Sequence, residues 1–237
     1  MSDRKRYVII MAAGSGTRMG AGQPKQFIEL AGKAILQMTI EVFAEALPGI
    51  NVVTVLPEAH MSYWRDYCLK RNFTCPQILV KGGITRFHSV RNALSKIPDG
   101  ALVAVHDGVR PLVSPALVRE MFDKAEELPA LIPVTPCVDT MRILDRKDDV
   151  LVDAPDERAD RSRLFCVQTP QLFHSEILKE AYMMAYDTSF TDDASVVAKY
   201  GKRLSYIMGE RFNIKITTHD DLLLARAVIS MSGEKSI

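Results

Sequence analysis

Two basic side chains, Arg18 and Lys25, flank a glycine-rich stretch whose composition suits the binding of phosphate. The stretch, MAAGSGTRMGAGQPKQF, covers residues 11–27 and follows the apolar run 7–10. Glycine lets backbone N–H groups approach an anion closely and tolerates positive φ. A guanidinium can grip phosphate oxygens while an ammonium places its charge near a reacting phosphorus. The stretch predicts a polyphosphate site, although a surface turn with two solvated cations would have the same composition.

Two common phosphate motifs do not fit this stretch. The dinucleotide motif G-x-G-x-x-G needs a glycine where Met19 stands, and no Gly-Lys-Ser or Gly-Lys-Thr occurs in the loop. Binding of NAD and P-loop kinase chemistry are therefore both disfavoured.

A carboxylate follows a second apolar run. Asp107 stands in VHDGVRP, residues 105–111, with Arg110 three residues further on. A carboxylate in that position can hold Mg²⁺ between phosphate oxygens during an in-line displacement. An ordinary turn aspartate is the alternative.

A second glycine-rich turn lies in GGITRFHSV, residues 82–90. Arg86 and Ser89 stand at the start of a predicted helix, whose N-terminus favours anions. The pair Gly82 and Gly83 would let the backbone approach a flat nucleobase, or would simply form a tight strand-to-helix turn.

The elements that must position these residues alternate along the chain. Short apolar runs rich in β-branched residues, YVIIMA, NVVTVL, QILVKG and ALVAVH, are each followed by polar residues and then by helical periodicity. This pattern predicts an α/β fold, a Rossmann-like three-layer structure with a mostly parallel sheet covered by helices on both faces. Open sheets of this kind bind ligands at the carboxyl ends of their strands. Helices are predicted at Ile35–Leu47, Glu58–Arg71, Arg86–Ile97, Pro115–Glu127, Ser175–Tyr186, Asp192–Tyr200 and Asp220–Ile229.

Local signals mark some of the helix ends. Pro115 behind Ser114 suits the first helical position behind an N-cap, and Gly201 suits a C-terminal stop.

One stretch, residues 139–163, breaks the alternation of strands and helices because its charges are dense and its apolar residues sparse. It predicts a hairpin that projects from the body and packs against a second subunit, with a solvated loop as the alternative.

Composition limits the classes of protein and partner. The chain has 237 residues, of which 47% are hydrophobic and 25% charged, and a formal net charge of +1. These values predict a single globular domain over residues 1–237 and no binding of nucleic acid. The apolar run after MSDRKR is too short to span a bilayer, so a cytoplasmic protein without a membrane partner is expected. The cysteines and histidines lack the spacing of a zinc site.

Several motifs, in order and spacing, resemble one enzyme family. AAGSGTRMGAGQPKQF, GGITRFHSV, VHDGVRP, DTMR, DRSRLFCVQTPQLF, TDDAS and FNIKIT are similar to the motifs of the 2-C-methyl-D-erythritol 4-phosphate cytidylyltransferases of the non-mevalonate isoprenoid pathway. The resemblance spans nearly the whole chain. It implies a Mg²⁺-dependent reaction of CTP with 2-C-methyl-D-erythritol 4-phosphate that yields the CDP-linked alcohol and pyrophosphate.

The resemblance also implies a role for individual residues. Arg18, Lys25 and Lys215 would stabilise the five-coordinate phosphorus and the departing pyrophosphate. Asp107 would hold the metal and the sugar alcohol, and Arg110 would line the same pocket. The positions matched to the CTP site are Ala12, Ala13, Gly14, Ser15, Gly83, Arg86 and Ser89.

In the resembled family a β-arm reaches across a homodimer into the partner's site. Thr140 and Arg161 match the arm positions that would contact the acceptor substrate, and Thr169 matches a residue of the subunit's own body. Arg161 would clamp the phosphate of the acceptor. The resemblance thus implies a homodimer with exchanged arms.

The sequence departs from the family pattern at a few positions. Ile84 replaces an acidic residue beside the cytidine, which leaves only backbone recognition there, and Gly108 and Val109 replace two alanines. HDGVRP and FNIKITT also resemble the ribitol 5-phosphate cytidylyltransferases, whereas DRSRL resembles the methylerythritol type. A ribitol 5-phosphate enzyme and a catalytically silent nucleotide-binding protein are the alternatives.

Overall fold

The inner strands of the central sheet are buried on both faces. Along β1 (Arg6–Met11), Val8 and Ile10 face one side of the sheet while Tyr7 and Ile9 face the other, and all four are buried. Because successive side chains of a strand alternate between faces, such a run needs helices on both sides. The structure, a computed structural model, describes residues 4–14, 24–154 and 160–233.

The main sheet is mostly parallel, as predicted. Its strands are β1, β4 (Asn51–Leu56), β5 (Gln77–Lys81), β6 (Leu102–Asp107), β7 (Ala130–Pro136), β10 (Phe165–Val167), β11 (Gln171–His174) and β12 (Ser205–Met208). The strands β5, β4, β1 and β6 lie side by side and parallel. The short strand β11 runs antiparallel between β6 and β7, while β10 pairs antiparallel and β12 parallel with β7.

Helices cover both faces of this sheet, so the three-layer prediction is confirmed. The helices are α1 (Ile35–Ala46), α2 (Glu58–Lys70), α3 (Arg86–Leu94), α4 (Pro115–Lys124), α5 (Ser175–Ala181), α6 (Asp193–Lys199) and α7 (His219–Gly233). Apolar side chains of α1, α2 and α4 form the core on one face, and those of α3, α5 and α6 form the core on the other. Helix α7 contributes Leu222 and Ala225 to a third cluster with Val109 and Ile216. None of the helices in the described ranges has the length and apolar character needed to cross a membrane.

The predicted helix caps are present. The hydroxyl of Ser114 accepts a hydrogen bond from the N–H of Leu117 at 3.0 Å, and Pro115 occupies the first turn of α4. Gly201 follows α6 with a φ of +87°, a conformation that glycine adopts without strain. These local patterns therefore predicted the helix ends correctly.

Three helices end at least three residues earlier than predicted. Helix α3 ends at Leu94 rather than Ile97, α4 at Lys124 rather than Glu127, and α5 at Ala181 rather than Tyr186. Beyond these ends, backbone N–H groups such as those of Ile97, Glu127 and Met184 donate to the carbonyl three residues back. The apolar periodicity continues into these tighter turns, which is why it overestimates the α-helical length.

Two small hairpins lie outside the main sheet. Strands β2 (Glu29–Leu30) and β3 (Lys33–Ala34) pair just before α1. Strands β8 (Leu144–Lys147) and β9 (Val150–Asp153) pair within the charged stretch 139–163, and their side chains are exposed. We call residues 144–153 the β8–β9 hairpin.

Candidate active site

The carboxyl ends of β1 and β6 meet at the same point of the sheet edge. Met11 lies opposite Asp107 in the parallel register, and the N–H of Gly108 donates to the carbonyl of Met11 at 2.9 Å. A Cβ at residue 108 would lie 3.1 Å from that carbonyl oxygen and 3.2 Å from the Cβ of Ala12. Glycine at 108 therefore allows the two strand ends to approach closely.

Most of the predicted site residues line one cavity at this edge. This cavity, which we call the main cavity of the site, has a volume of about 380 Å³. The predicted residues that line it are Ala12, Ala13, Gly14, Lys25, Gly83, Arg86, Ser89, Asp107 and Lys215. Ile84 also lines it and is 96% exposed. Ser15 and Arg18 lie outside the described residues, so their roles stay predictions.

A smaller cavity of about 250 Å³ adjoins the main one. The two cavities share Arg86, Asp107 and Lys215, and the smaller one adds Arg110 and Thr169. The shared wall thus carries a carboxylate between two cationic side chains.

The remaining two predicted residues lie elsewhere in this chain. Thr140 and Arg161 are exposed near the base of the β8–β9 hairpin and line neither cavity. The Nη1 of Arg161 donates to the carbonyl of Val138 at 3.3 Å.

Asp107 forms ion pairs with two cationic side chains of the site. Its Oδ2 lies 3.1 Å from the Nζ of Lys215 and 3.2 Å from the Nε of Arg110. Burial alone would raise the pKa of Asp107, but the charges of Lys215, Arg86 and Arg110 hold that pKa well below its usual range. The carboxylate is therefore ionised under any condition of interest, as a metal ligand must be.

Among the residues that the structure describes, no group of three or more His, Cys, Asp or Glu side chains is placed to hold a metal ion. Mg²⁺ is commonly held by one or two carboxylates together with substrate phosphates and water. A single ionised Asp107 at the wall of a cavity fits that mode.

Arg86 is paired with a buried carboxylate that the sequence analysis did not single out. Its Nη2 lies 2.6 Å from the Oδ2 of Asp193, at the start of α6, and the hydroxyl of Tyr182 donates to the Oδ1 of the same residue at 2.6 Å. Asp193 is fully buried. Its position inside the motif TDDAS was the available signal, but spacing along the chain could not show its partner.

We expect Asp193→Asn to lower the free energy of unfolding by about 2 kcal/mol, less than the 3–5 kcal/mol typical of a fully buried pair, because solvent reaches part of Arg86. Chemical denaturation measures the change. The matched control is Glu120→Gln, which removes an exposed pair with Lys124 and should cost at most about 0.5 kcal/mol. Equal effects of the two variants would contradict a structural role for the buried pair.

The turn before α3 is shaped by close packing. The N–H of Gly83 donates to the Oγ of Ser89 at 2.9 Å, and that hydroxyl donates to the carbonyl of Thr85 at 2.9 Å. A Cβ at residue 83 would lie 2.5 Å from the Cβ of His88. Steric crowding is therefore sufficient reason for glycine at 83, and contact with a nucleobase stays a prediction.

Lys25 is placed in the main cavity by its neighbours. It begins a single 3-10 turn, Lys25–Phe27, directly after Pro24. The Nε2 of the buried Gln26 donates to the carbonyl of Ala12 at 3.0 Å, and the ring of Phe27 stacks on Trp64. These two anchors fix the turn against β1 and the core.

The segment that carries Lys215 is held by buried amides that the sequence analysis missed. The Nδ2 of Asn213 donates to the carbonyl of Thr169 at 2.8 Å, and the Nη1 of Arg110 donates to the carbonyl of Asn213 at 2.7 Å. The side chain of Gln168 bonds both backbone groups of Glu210, at 2.8 and 3.1 Å. These hydrogen bonds fix the segment that carries Lys215 against Thr169 and Arg110 through Asn213, and against Gln168 through Glu210.

Gln168 also occupies the space beside Gly209. A Cβ at residue 209 would collide with the Oε1 of Gln168. The same oxygen accepts the N–H of Glu210, so the amide cannot move away without losing that bond.

Comparison with known proteins gives a consistent result. A family model described as IspD, 2-C-methyl-D-erythritol 4-phosphate cytidylyltransferase, matches residues 7–231. A relative named 2-C-methyl-D-erythritol 4-phosphate cytidylyltransferase, from Porphyromonas gingivalis strain W83, is 45% identical over 229 residues, which cover 96% of this chain and 99% of the relative. A relative of the same name from Bacillus velezensis is 38% identical and covers 97% of this chain and 98% of its own length.

Solved structures agree with the sequence relatives. The crystal structure of 4-diphosphocytidyl-2C-methyl-D-erythritol synthase from Anaerococcus prevotii matches with a TM-score of 0.78 at 27% identity, over 96% of this chain and 99% of that one. The 2-C-methyl-D-erythritol 4-phosphate cytidylyltransferase from Thermus thermophilus matches with a TM-score of 0.72 at 28% identity, with the same coverage.

Proposed function

The chain belongs to the 2-C-methyl-D-erythritol 4-phosphate cytidylyltransferase family, and we propose that its main cavity binds CTP while the smaller cavity binds the acceptor. The enzyme transfers the cytidylyl group of CTP to 2-C-methyl-D-erythritol 4-phosphate and releases pyrophosphate. This assignment of the two cavities rests on the wall that they share, which is formed by Arg86, Asp107 and Lys215. The reacting groups would meet at that wall.

The chemistry is a direct displacement at phosphorus. A phosphate oxygen of the acceptor forms a bond to the α-phosphorus of CTP while the bond to the bridging oxygen breaks, and pyrophosphate leaves with that electron pair. Lys25, Lys215 and Arg18 would stabilise the negative charge on the five-coordinate phosphorus and on the leaving group. Catalysis would come from positioning and fixed charge, without a covalent enzyme intermediate.

The nucleoside and the acceptor would be held at opposite sides of the shared wall. The backbone of residues 12–15 would lie against the triphosphate, and Gly83, Arg86 and Ser89 would contact the cytidine end. On the other side, Asp107, Arg110 and Thr169 would hold the polyol phosphate. The proximity of these residues in the two cavities supports this division.

Mg²⁺ is the proposed metal, and Asp107 is the residue that would hold it. When bound there, the ion would neutralise charge on the phosphates. The lowered pKa of Asp107, which follows from the surrounding cations outweighing the effect of burial, supports this choice. A cytoplasmic location and the absence of a nucleic-acid partner stay predictions.

The first test is pyrophosphate release from CTP with Mg²⁺ or with a chelator. Three parallel reactions contain 2-C-methyl-D-erythritol 4-phosphate, ribitol 5-phosphate or no acceptor. We expect release only with the methylerythritol substrate and only with the metal. Release with ribitol 5-phosphate alone would reassign the substrate, and no release in any reaction would favour a silent nucleotide-binding protein.

We infer further that the β8–β9 hairpin reaches the site of a second copy in a homodimer. The hairpin exposes Leu144, Val150 and Leu151, the last two by about 60% of their surfaces. By strand alternation Leu144 and Leu151 share one face of the hairpin and Val150 lies on the other, so both faces offer apolar surface that a partner would cover. Thr140 and Arg161 line neither cavity of their own chain, which also supports contact with a partner's site.

Mixing two inactive variants tests the exchange of arms. Lys25→Ala removes a cation from the body of the site, and Arg161→Ala removes one from the arm. A mixed dimer contains one site with an intact body and an intact arm, so random pairing should restore roughly a quarter of the wild-type activity.

The separate variants serve as controls for the mixture. Each alone should stay inactive after the same unfolding and refolding that mixes the subunits. If the mixture is no more active than its components, while size measurements show dimers, the arm acts within its own chain and the inferred exchange is wrong.

A further inference from the structure

His106 is a buried imidazole that the proposed mechanism does not use. It lies on β6 directly before Asp107 and is fully buried. Its Nε2 lies 3.1 Å from the carbonyl oxygen of Arg110, and its Nδ1 lies 3.0 Å from the Oγ1 of Thr169. The ring therefore joins two residues of the smaller cavity.

The chemistry of the partners fixes the positions of the protons. A carbonyl oxygen can only accept, so the Nε2 of His106 must carry a hydrogen. The two partners of the ring, a hydroxyl and a carbonyl, carry no charge, and burial disfavours an imidazolium. The neighbouring carboxylate of Asp107 would favour one, but it is already paired with Lys215 and Arg110, so the ring is neutral. Its Nδ1 is then an acceptor, and the hydroxyl of Thr169 must donate to it.

The backbone supplies the next link. The N–H of Asp107 donates to the Oγ1 of Thr169 at 3.1 Å. The hydroxyl of Thr169 has one hydrogen and two lone pairs. The hydrogen is donated to the Nδ1 of His106, and one lone pair accepts the backbone N–H of Asp107. A single lone pair of the hydroxyl is therefore left for a ligand.

We propose that His106 is a positioning residue that takes the hydroxyl proton of Thr169, so that Thr169 can only accept a hydrogen bond from the acceptor substrate. A phosphate group at neutral pH offers chiefly acceptor oxygens, whereas a polyol hydroxyl offers a donor. Thr169 therefore contacts a hydroxyl group of the polyol and not its phosphate. This inference rests on the proposed function for the identity of the ligand, but the position of the proton does not depend on it.

Nitrogen NMR of the wild-type enzyme, labelled with ¹⁵N-histidine and held at neutral pH, measures the proton positions directly. We expect the His106 ring to show a protonated Nε2 and an unprotonated Nδ1. The signal is assigned by its loss in His106→Gln or, if that variant does not fold, by through-bond correlation with the assigned backbone. A proton on Nδ1 would overturn the proposal.

Kinetics of Thr169→Val test the consequence for the ligand. The change keeps the shape of the side chain but removes its hydroxyl, and it should raise the KM for the polyol phosphate about tenfold while the KM for CTP changes by less than about twofold. Thr169→Ser, which keeps a hydroxyl, should recover most of the loss. Thr74→Val, at an exposed position, is the matched control.

Inorganic phosphate as a competitor separates the two possible contacts. Its inhibition constant should be the same in wild type and Thr169→Val if Thr169 binds a hydroxyl group. A parallel weakening of inhibition would mean that Thr169 binds phosphate and would refute the proposal. A merely structural role would lower kcat through loss of folded enzyme and leave both KM values unchanged.

The two proposals can fail separately. Wild-type enzyme that releases no pyrophosphate would contradict the proposed function, yet the nitrogen spectrum would still decide where the proton lies. Active enzyme with the opposite tautomer would leave the function intact and overturn the role of His106.

Discussion

Replacing Lys215 with methionine lowers kcat by about 100- to 1,000-fold, the usual effect of losing one fixed group that stabilises charge in a transition state. The ammonium lies at the wall shared by both cavities, 3.1 Å from the Oδ2 of Asp107. Its side chain is 43% exposed, so Lys215→Met should fold normally. Initial rates at saturating CTP and acceptor measure the change, and the KM for CTP should change far less than kcat.

The matched control for this variant is Lys124→Met. Lys124 forms an exposed pair with Glu120 on α4, so its replacement should leave kcat within about twofold of wild type. A kcat for Lys215→Met within about tenfold of wild type would show that the ammonium does not act on the reacting phosphorus.

Asp107→Asn should reduce kcat by at least about 100-fold, which corresponds to about 3 kcal/mol of transition-state stabilisation. The two side chains have nearly the same shape, but the amide is uncharged. The variant loses the anion that pairs with Lys215 and Arg110 and that would hold Mg²⁺. Activity is measured over a range of Mg²⁺ concentrations, and half-saturation should require more metal than in wild type.

The Mg²⁺ titration separates two ways in which Asp107 could act. If kcat falls but half-saturation by Mg²⁺ does not change, Asp107 acts by positioning Lys215 and Arg110, and the proposed metal ligand is wrong. The control is Asp99→Asn, an exposed carboxylate paired with Lys179 on the surface. It should change neither quantity.

The parallel strands β1, β4 and β6 could be predicted because they are buried on both faces. Burial of that kind requires nearly continuous apolar runs, such as 7–10 and 101–105, which stand out from the helices between them. The strands β10, β11 and β12 are only three or four residues long. Runs that short carry no measurable periodicity, and Pro170, which has no N–H, separates β10 from β11.

Site residues that directly follow a strand could be predicted from the sequence. Contacts between side chains that lie far apart in the sequence could not. Asp107 and the turn at residues 82–83 follow apolar runs, and parallel strands bring such ends to one edge. The pairing of Arg86 with Asp193 and of Asn213 with Thr169 depends on how α6 and the segment before α7 pack. No spacing along the chain specifies those contacts, so the amino-acid types alone could not reveal them.

The contact between Gln168 and Gly209 restricts how the sequence can change. Because the Oε1 of Gln168 fills the space that a side chain at 209 would need, a larger residue at 209 requires a smaller one at 168. A smaller residue at 168 in turn gives up the two bonds to Glu210 that hold the Lys215 segment. The two positions are therefore expected to vary together during evolution, with glycine kept at 209 wherever glutamine is kept at 168.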